Sequence, residues 1–162
     1  MTLTAAPPAL PPGLGELLDQ VAERQRLDFG HMASDLKADG SLITACDRWS
    51  DETLVRGLAA LFPQEGVLSE EGEKRVPSTE AYWVVDPLDG TTNFAAGIPY
   101  WAISLARFEH GRPVLAVLDV PPLRQRIVAA ATSSGSACSG QSLPEMTMLG
   151  LSSMPSSRTR CV

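Results

Sequence analysis

Two helical stretches followed by a run of strands predict an α+β fold, with helices layered on one face of a mainly antiparallel sheet. Leu14, Leu17, Leu18, Val21 and Ala22 fall at i, i+3, i+4, i+7 and i+8, the stripe of a helix that buries one side. Residues 101–108, 114–120 and 126–131 read as three strands of a meander, separated by turns at Glu109-His110-Gly111-Arg112 and Val120-Pro121-Pro122. A length of 162 residues suits one domain, and 44% apolar residues suffice to fill its core.

In chain order, Pro7, Pro8, Pro11 and Pro12 favour an extended, flexible stretch over residues 1–13. The first helix follows, and Gly30 supplies its stop. Residues 41–44 read as a short strand. A second amphipathic helix spans 47–61, with Leu54, Leu58 and Leu61 at helical spacing and Phe62-Pro63 at its end. Val67-Leu68 is another short strand, and Tyr82-Trp83-Val84-Val85 is an apolar one. Residues 95–99 form a loop before the meander.

Composition narrows the function. No apolar run approaches the length of a membrane span, because charged residues interrupt each one. MTLTAAPPALPPG has neither a basic n-region nor a continuous apolar h-region, so it does not read as a secretion signal. Cys46, Cys138 and Cys161 are odd in number and lack zinc spacing, which fits a reducing cytoplasm. His31 and His110 are too far apart in sequence to suggest a metal pair. A net charge of −6 argues against nucleic acid as a partner. It leaves phosphate open, since carboxylates that hold a cation become attractive to anions.

The most informative segment is Asp86-Pro87-Leu88-Asp89-Gly90-Thr91-Thr92-Asn93, directly after the apolar strand. Pro87 fixes its own φ and biases Asp86 toward an extended conformation, so Asp86 is expected to close the strand and Asp89 to swing round the turn. Two carboxylates placed this way share one cation or hold two close together, and hard oxygen ligands suit Mg²⁺. Gly90 lets backbone approach a ligand, and a helical turn starting at Thr91 points free N–H groups at an anion. Asp, Gly, Pro, Thr and Asn are also ordinary turn formers. Eight specified positions, each at about one chance in twenty, make an accidental octapeptide match rare.

On these residues the chain resembles the inositol monophosphatase family, Mg²⁺-dependent and lithium-sensitive phosphatases with the signature D-P-[LI]-D-G-T-T-N-F. Asp86 to Phe94 reads DPLDGTTNF without a departure. Lys37-Ala38-Asp39-Gly40-Ser41-Leu42-Ile43-Thr44-Ala45-Cys46-Asp47 is similar to the family's K-x-D-G-S-x-V-T-x-x-D segment. Leu68-Ser69-Glu70-Glu71-Gly72 is similar to its G-E-E-S loop. Taken alone, Asp47 also suits a helix N-cap and Glu70-Glu71 a solvated acidic loop.

The resemblance implies the amino-terminal part of the inositol monophosphatase fold over residues 14–143. It implies a Mg²⁺-dependent phosphomonoesterase acting on inositol phosphate or a similar small polyol or sugar phosphate, in the cytoplasm. By resemblance Glu70, Asp86 and the Leu88 carbonyl bind one Mg²⁺, and Asp86 with Asp89 contributes to a second. Asp47 and the Thr91 hydroxyl orient the attacking water and take its proton. The N–H groups of Gly90 and Thr91 hold the phosphate. Thr44 and Lys37 lie near the family's site but receive no role. The partners implied are a small phosphate monoester, neither nucleic acid nor membrane, and a second copy of the chain in a homodimer.

Residues 131–143 still resemble the family's glycine-rich hairpin, whereas residues 144–162 show neither helical nor alternating periodicity and are expected to be an atypical tail, as a truncation or frame shift would leave. The family's second half carries a W-D motif whose aspartate serves the second metal. Here Trp49, Trp83 and Trp101 are each followed by another residue, and no Asp follows Asp119. The alternative expectation is a catalytically deficient fragment that binds metal or associates without turnover.

Overall fold

Helix α1 (Leu14–Asp28) is followed by β1 (Ser34–Leu36), β2 (Leu42–Thr44), α2 (Ala45–Leu61), β3 (Gly66–Ser69) and β4 (Ala81–Asp89). A short α3 (Thr91–Ala95), then β5 (Ala102–Glu109), β6 (Arg112–Val120), a 3-10 turn (Pro121–Leu123), β7 (Gln125–Thr132) and β8 (Gly135–Ser142) complete the order. The computed structural model describes residues 9–31, 34–36, 42–72, 75–132 and 135–142. Lys37 to Ser41, most of residues 1–13 and the tail at 144–162 lie outside the described residues.

The sheet is the expected one. Six strands run in the order β3-β4-β5-β6-β7-β8, and β1 pairs with β2 separately. Only β3 and β4 are parallel; the four remaining ladders of the sheet are antiparallel. The two long helices bury their apolar stripes on one face: Leu14, Leu17, Leu18, Val21, Ala22, Leu54 and Leu58 meet Trp83, Val85, Ile103, Leu105, Leu115, Val117 and Val128. Leu10, ahead of α1, packs against the same cluster. Gly57 lets α1 come close to α2, since a Cβ there would fall 2.5 Å from a Leu17 methyl. The opposite face leaves Leu118 and Ile127 exposed. No helix among the described residues is long and apolar enough to cross a membrane.

Two local expectations need correction. Helix α2 starts at Ala45, and its N-cap is Thr44, not Asp47. Thr44 caps the Asp47 N–H while the Asp47 carboxylate accepts from the Thr44 N–H, a reciprocal box that satisfies two otherwise orphaned donors. Strand β4 does not close at Asp86 either, for it resumes pairing at Asp89 after a register shift. Pro87 has no N–H to give the ladder, so Pro87 and Leu88 together oppose the single Ile103, a bulge of one extra residue. The stop of α1 is as read, with Gly30 at φ 75 just beyond the Phe29 cap.

Candidate active site

The bulge places its two carboxylates by accounting for every backbone group between them. Asp86 is paired with Ser104 and Asp89 with Ala102, which leaves Pro87 and Leu88 without partners in the β5 register. The Pro87 carbonyl accepts from Gln25 Nε2 at 2.8 Å. The Leu88 N–H turns back to Asp86 Oδ1 at 3.2 Å, and the Leu88 carbonyl lies 3.2 Å from Thr91 Oγ1. The Leu88 side chain is buried with Cys46, Phe94 and Trp101, as its apolar character requires. Phe94 meets Trp101 edge-on at 5.0 Å, and Phe29 stacks on Trp101 at 4.6 Å. This second small core is the floor of the site.

Gly90 adopts φ 102 and caps α3. A Cβ there would lie 2.9 Å from the Tyr100 carbonyl oxygen and 3.3 Å from Trp101 Cα. The glycine expected for its approach to a ligand is thus required first by the chain's own backbone. Asn93 Nδ2 donates to the same Tyr100 carbonyl at 3.0 Å, fixing the loop against the turn.

Thr91 Oγ1 donates to Asp47 Oδ1 at 2.6 Å, linking the motif to the start of α2. The other carboxylate oxygen of Asp47 accepts from the Thr44 N–H at 2.8 Å and from the Thr44 hydroxyl. Asp47 is 1% exposed, so its contact with the site runs through Thr91. Thr44, given no role from the sequence, is what holds Asp47 in place.

Glu70 follows β3, and its N–H extends the parallel ladder to the Val85 carbonyl at 2.9 Å. That brings its side chain beside Asp86, at one pocket. Burial, then the charge and close approach of Glu70, then the Asp89 charge, push the Asp86 carboxyl up to about 7. Glu70 and Asp86 line a pocket of about 410 Å³ with Leu68, Val84, Ser104 and Ala106. Asp89 borders a second pocket with Gly90, Tyr100, Leu118 and Ile127.

Among the described residues, no three acidic, histidine or cysteine side chains close into a ready-made ion cage. Carboxylates repel until a cation sits between them, so neighbours held in register are what a chain alone can supply. The groups that could hold a cation here are three carboxylates and one carbonyl, all hard oxygens, whose chemistry fits Mg²⁺ or Ca²⁺. Sequence reasoning missed Gln25. It continues the 14, 17, 18, 21, 22 stripe of α1 and is fully buried, and a polar residue in that register was the available signal.

The chain is similar to several known proteins. A histidinol-phosphatase of Mycobacterium tuberculosis is 37% identical over 116 residues, covering 70% of this chain and 45% of its own length. The structure of an IMPase from Thermotoga maritima superposes with a TM-score of 0.69 at 30% identity, over 78% of this chain and 49% of that one. An IMPase/NADP phosphatase solved with Mg²⁺ and phosphate superposes at 0.67 with 26% identity, over 85% of this chain and 53% of that one. The chain therefore spans about half the length of these relatives. The model of the inositol monophosphatase family matches residues 4–161, nearly the whole sequence and all of the site above, and the chain belongs to that family.

Proposed function

We propose that this chain supplies the metal- and phosphate-binding machinery of a Mg²⁺-dependent phosphomonoesterase that acts on inositol phosphate or a similar small polyol or sugar phosphate. The observation that carries the reading is the double link of one motif: Asp86 beside Glu70 at one pocket, and Thr91 bonded to Asp47 at 2.6 Å on the other side. Glu70, Asp86, Asp89 and the Leu88 carbonyl are the residues to hold Mg²⁺. A bound divalent cation supplies positive charge against phosphate oxygens and makes a water more acidic, from a pKa of about 15.7 toward neutrality.

The chain's own residues then divide the remaining work. The Thr91 hydroxyl accepts a hydrogen bond from the attacking water and orients it. As the water's proton arrives on Thr91 Oγ1, the hydroxyl's own proton passes to Asp47 Oδ1, the oxygen it already faces. Thr44 keeps the other oxygen of Asp47 occupied, so Asp47 cannot rotate away. The N–H groups of Gly90 and Thr91 hold the phosphate as charge moves to the leaving oxygen. The relatives' names, which include histidinol-phosphatase, IMPase and IMPase/NADP phosphatase, support a phosphate ester and leave its alcohol open. A cytoplasmic enzyme and a homodimer belong to the same proposal.

The alternative reading is association or metal binding without turnover. It is favoured by the uncovered sheet face, where Leu118 and Ile127 are 37% and 39% exposed. Phosphate release from inositol phosphate, histidinol phosphate and a sugar bisphosphate, with millimolar Mg²⁺ or with EDTA, decides between them. Mg²⁺-dependent turnover comparable to a full-length relative supports the enzyme. Calorimetric Mg²⁺ binding without turnover supports metal binding alone, and neither binding nor turnover sinks both the enzyme and the metal site, leaving association.

A further inference from the structure

We infer that Gln25 is a positioning residue for the carboxylate pair, a role that rests on reading Glu70, Asp86 and Asp89 as a metal site. Gln25 lies on α1, 0% exposed, and joins three segments with one amide. Its Nε2 donates to Ser50 Oγ on α2 at 3.1 Å and to the Pro87 carbonyl at 2.8 Å, and its Oε1 accepts from Trp101 Nε1 at 3.1 Å. Both N–H bonds and one oxygen lone pair are used, close to what the group can make.

The Pro87 bond is the consequential one. A bulge gives up ladder hydrogen bonds, and a buried carbonyl without a partner is costly. Pro87 is buried and lies between the two carboxylates at the register shift, so the amide of Gln25 stands in for the strand partner that β5 does not provide. The bond to Trp101 ties the same amide to the aromatic floor beneath Leu88 and to the backbone on which Gly90 rests. Gln25 touches neither substrate nor cation. It sets the spacing from Asp86 to Asp89 through the carbonyl between them.

Gln25→Met keeps length and approximate volume while removing all three hydrogen bonds. Leu18→Ala, in the main core on the same helix, is the control for lost stability alone. Amide exchange at Leu88 reports the bond to Asp86, and calorimetry reports Mg²⁺ binding. The expected result is faster Leu88 exchange than in Leu18→Ala and Mg²⁺ affinity lower by on the order of tenfold, as for other residues that orient ligands. Leu18→Ala, measured where it is folded, should keep wild-type affinity. Trp101→Phe removes one bond of the three and should shift both readouts in the same direction by less, which decides the matter if Gln25→Met does not fold. Leu88 exchange and Mg²⁺ affinity that match the wild type in every variant that folds would overturn the inference. If the wild type itself takes up no Mg²⁺ while Gln25→Met still frees the Leu88 amide beyond the control, the metal reading fails and the positioning of the bulge stands.

Discussion

Asp119 and Asp86 are paired, across β5, with adjacent residues: Asp119 with Ile103 and Asp86 with Ser104. Successive residues of a strand point to opposite faces, so the two carboxylates lie on opposite sides of one sheet. Asp119 faces the helices, 0% exposed, opposite Arg126 in the β6–β7 ladder, and accepts from Arg126 Nε at 2.6 Å. Burial holds its carboxyl above the ordinary value, and the guanidinium offsets part of that rise. Asp86 faces the other way, half-buried, with Glu70 and Asp89 as its neighbours. One carboxylate is balanced by its own chain and is structural. The other is crowded by like charges, an arrangement that a cation relieves.

The largest effect that follows from this contrast is on the crowded side. Asp89→Asn keeps size and removes one negative charge, and Asp89 is exposed, so the fold should be nearly unchanged. Mg²⁺-dependent hydrolysis should fall by about two orders of magnitude or more, since a cation's stabilisation of the transition state is worth several kcal/mol. Calorimetric Mg²⁺ titrations that superimpose for wild type and variant would show that Asp89 is not a ligand.

On the balanced side the expected loss is in stability. Arg126→Met leaves Asp119 buried without its partner, which costs about 3–5 kcal/mol. The second arm of Arg126, to Asp19 at 2.8 Å, is lost as well. Adding Asp119→Leu should restore most of the stability, because an apolar pair has no charge to desolvate. Urea unfolding measures both, and Mg²⁺ affinity should not move in either variant. An Arg126→Met protein as stable as wild type would erase the distinction between the two aspartates.

The two sides also differ in how far they can be read from sequence. The apolar stripe of α1, the meander and the motif itself are local patterns of period and residue type, so the α+β layering was legible, whereas Glu70 was tied to Asp86 and Asp89 only through family resemblance. Thr91 beside Asp47 was legible only through family resemblance, because 44 positions separate them. The bulge was not, since Pro87 suggests the end of a strand as readily as an interruption of one. The capping box also escaped, for both Thr44 and Asp47 are good caps and only the backbone at Thr44, extended at φ −113, decides between them. Gln25 and the Asp119–Arg126 pair depend on contacts across the fold, which single-chain periodicity does not carry.

The smallest expected effect is a pH dependence that separates the two carboxylates without an assay of turnover. In the folded chain the Asp86 carboxyl is pushed up to about 7, against an ordinary value of 3.8. Between those two values the folded state holds a proton that the unfolded chain releases. The stabilising contribution is therefore fully present below 3.8 and is lost as pH rises through about 7. Asp86→Asn stays neutral throughout. In EDTA its melting temperature should equal that of the wild type near the ordinary value of 3.8, exceed it increasingly as pH rises, and keep a constant lead above about 7. Mg²⁺ should then close or reverse the gap at the alkaline end, because a ligand that binds only the folded wild type stabilises it by mass action. Wild type and Asp86→Asn melting together in EDTA at every pH would mean that Asp86 is not crowded by its neighbours.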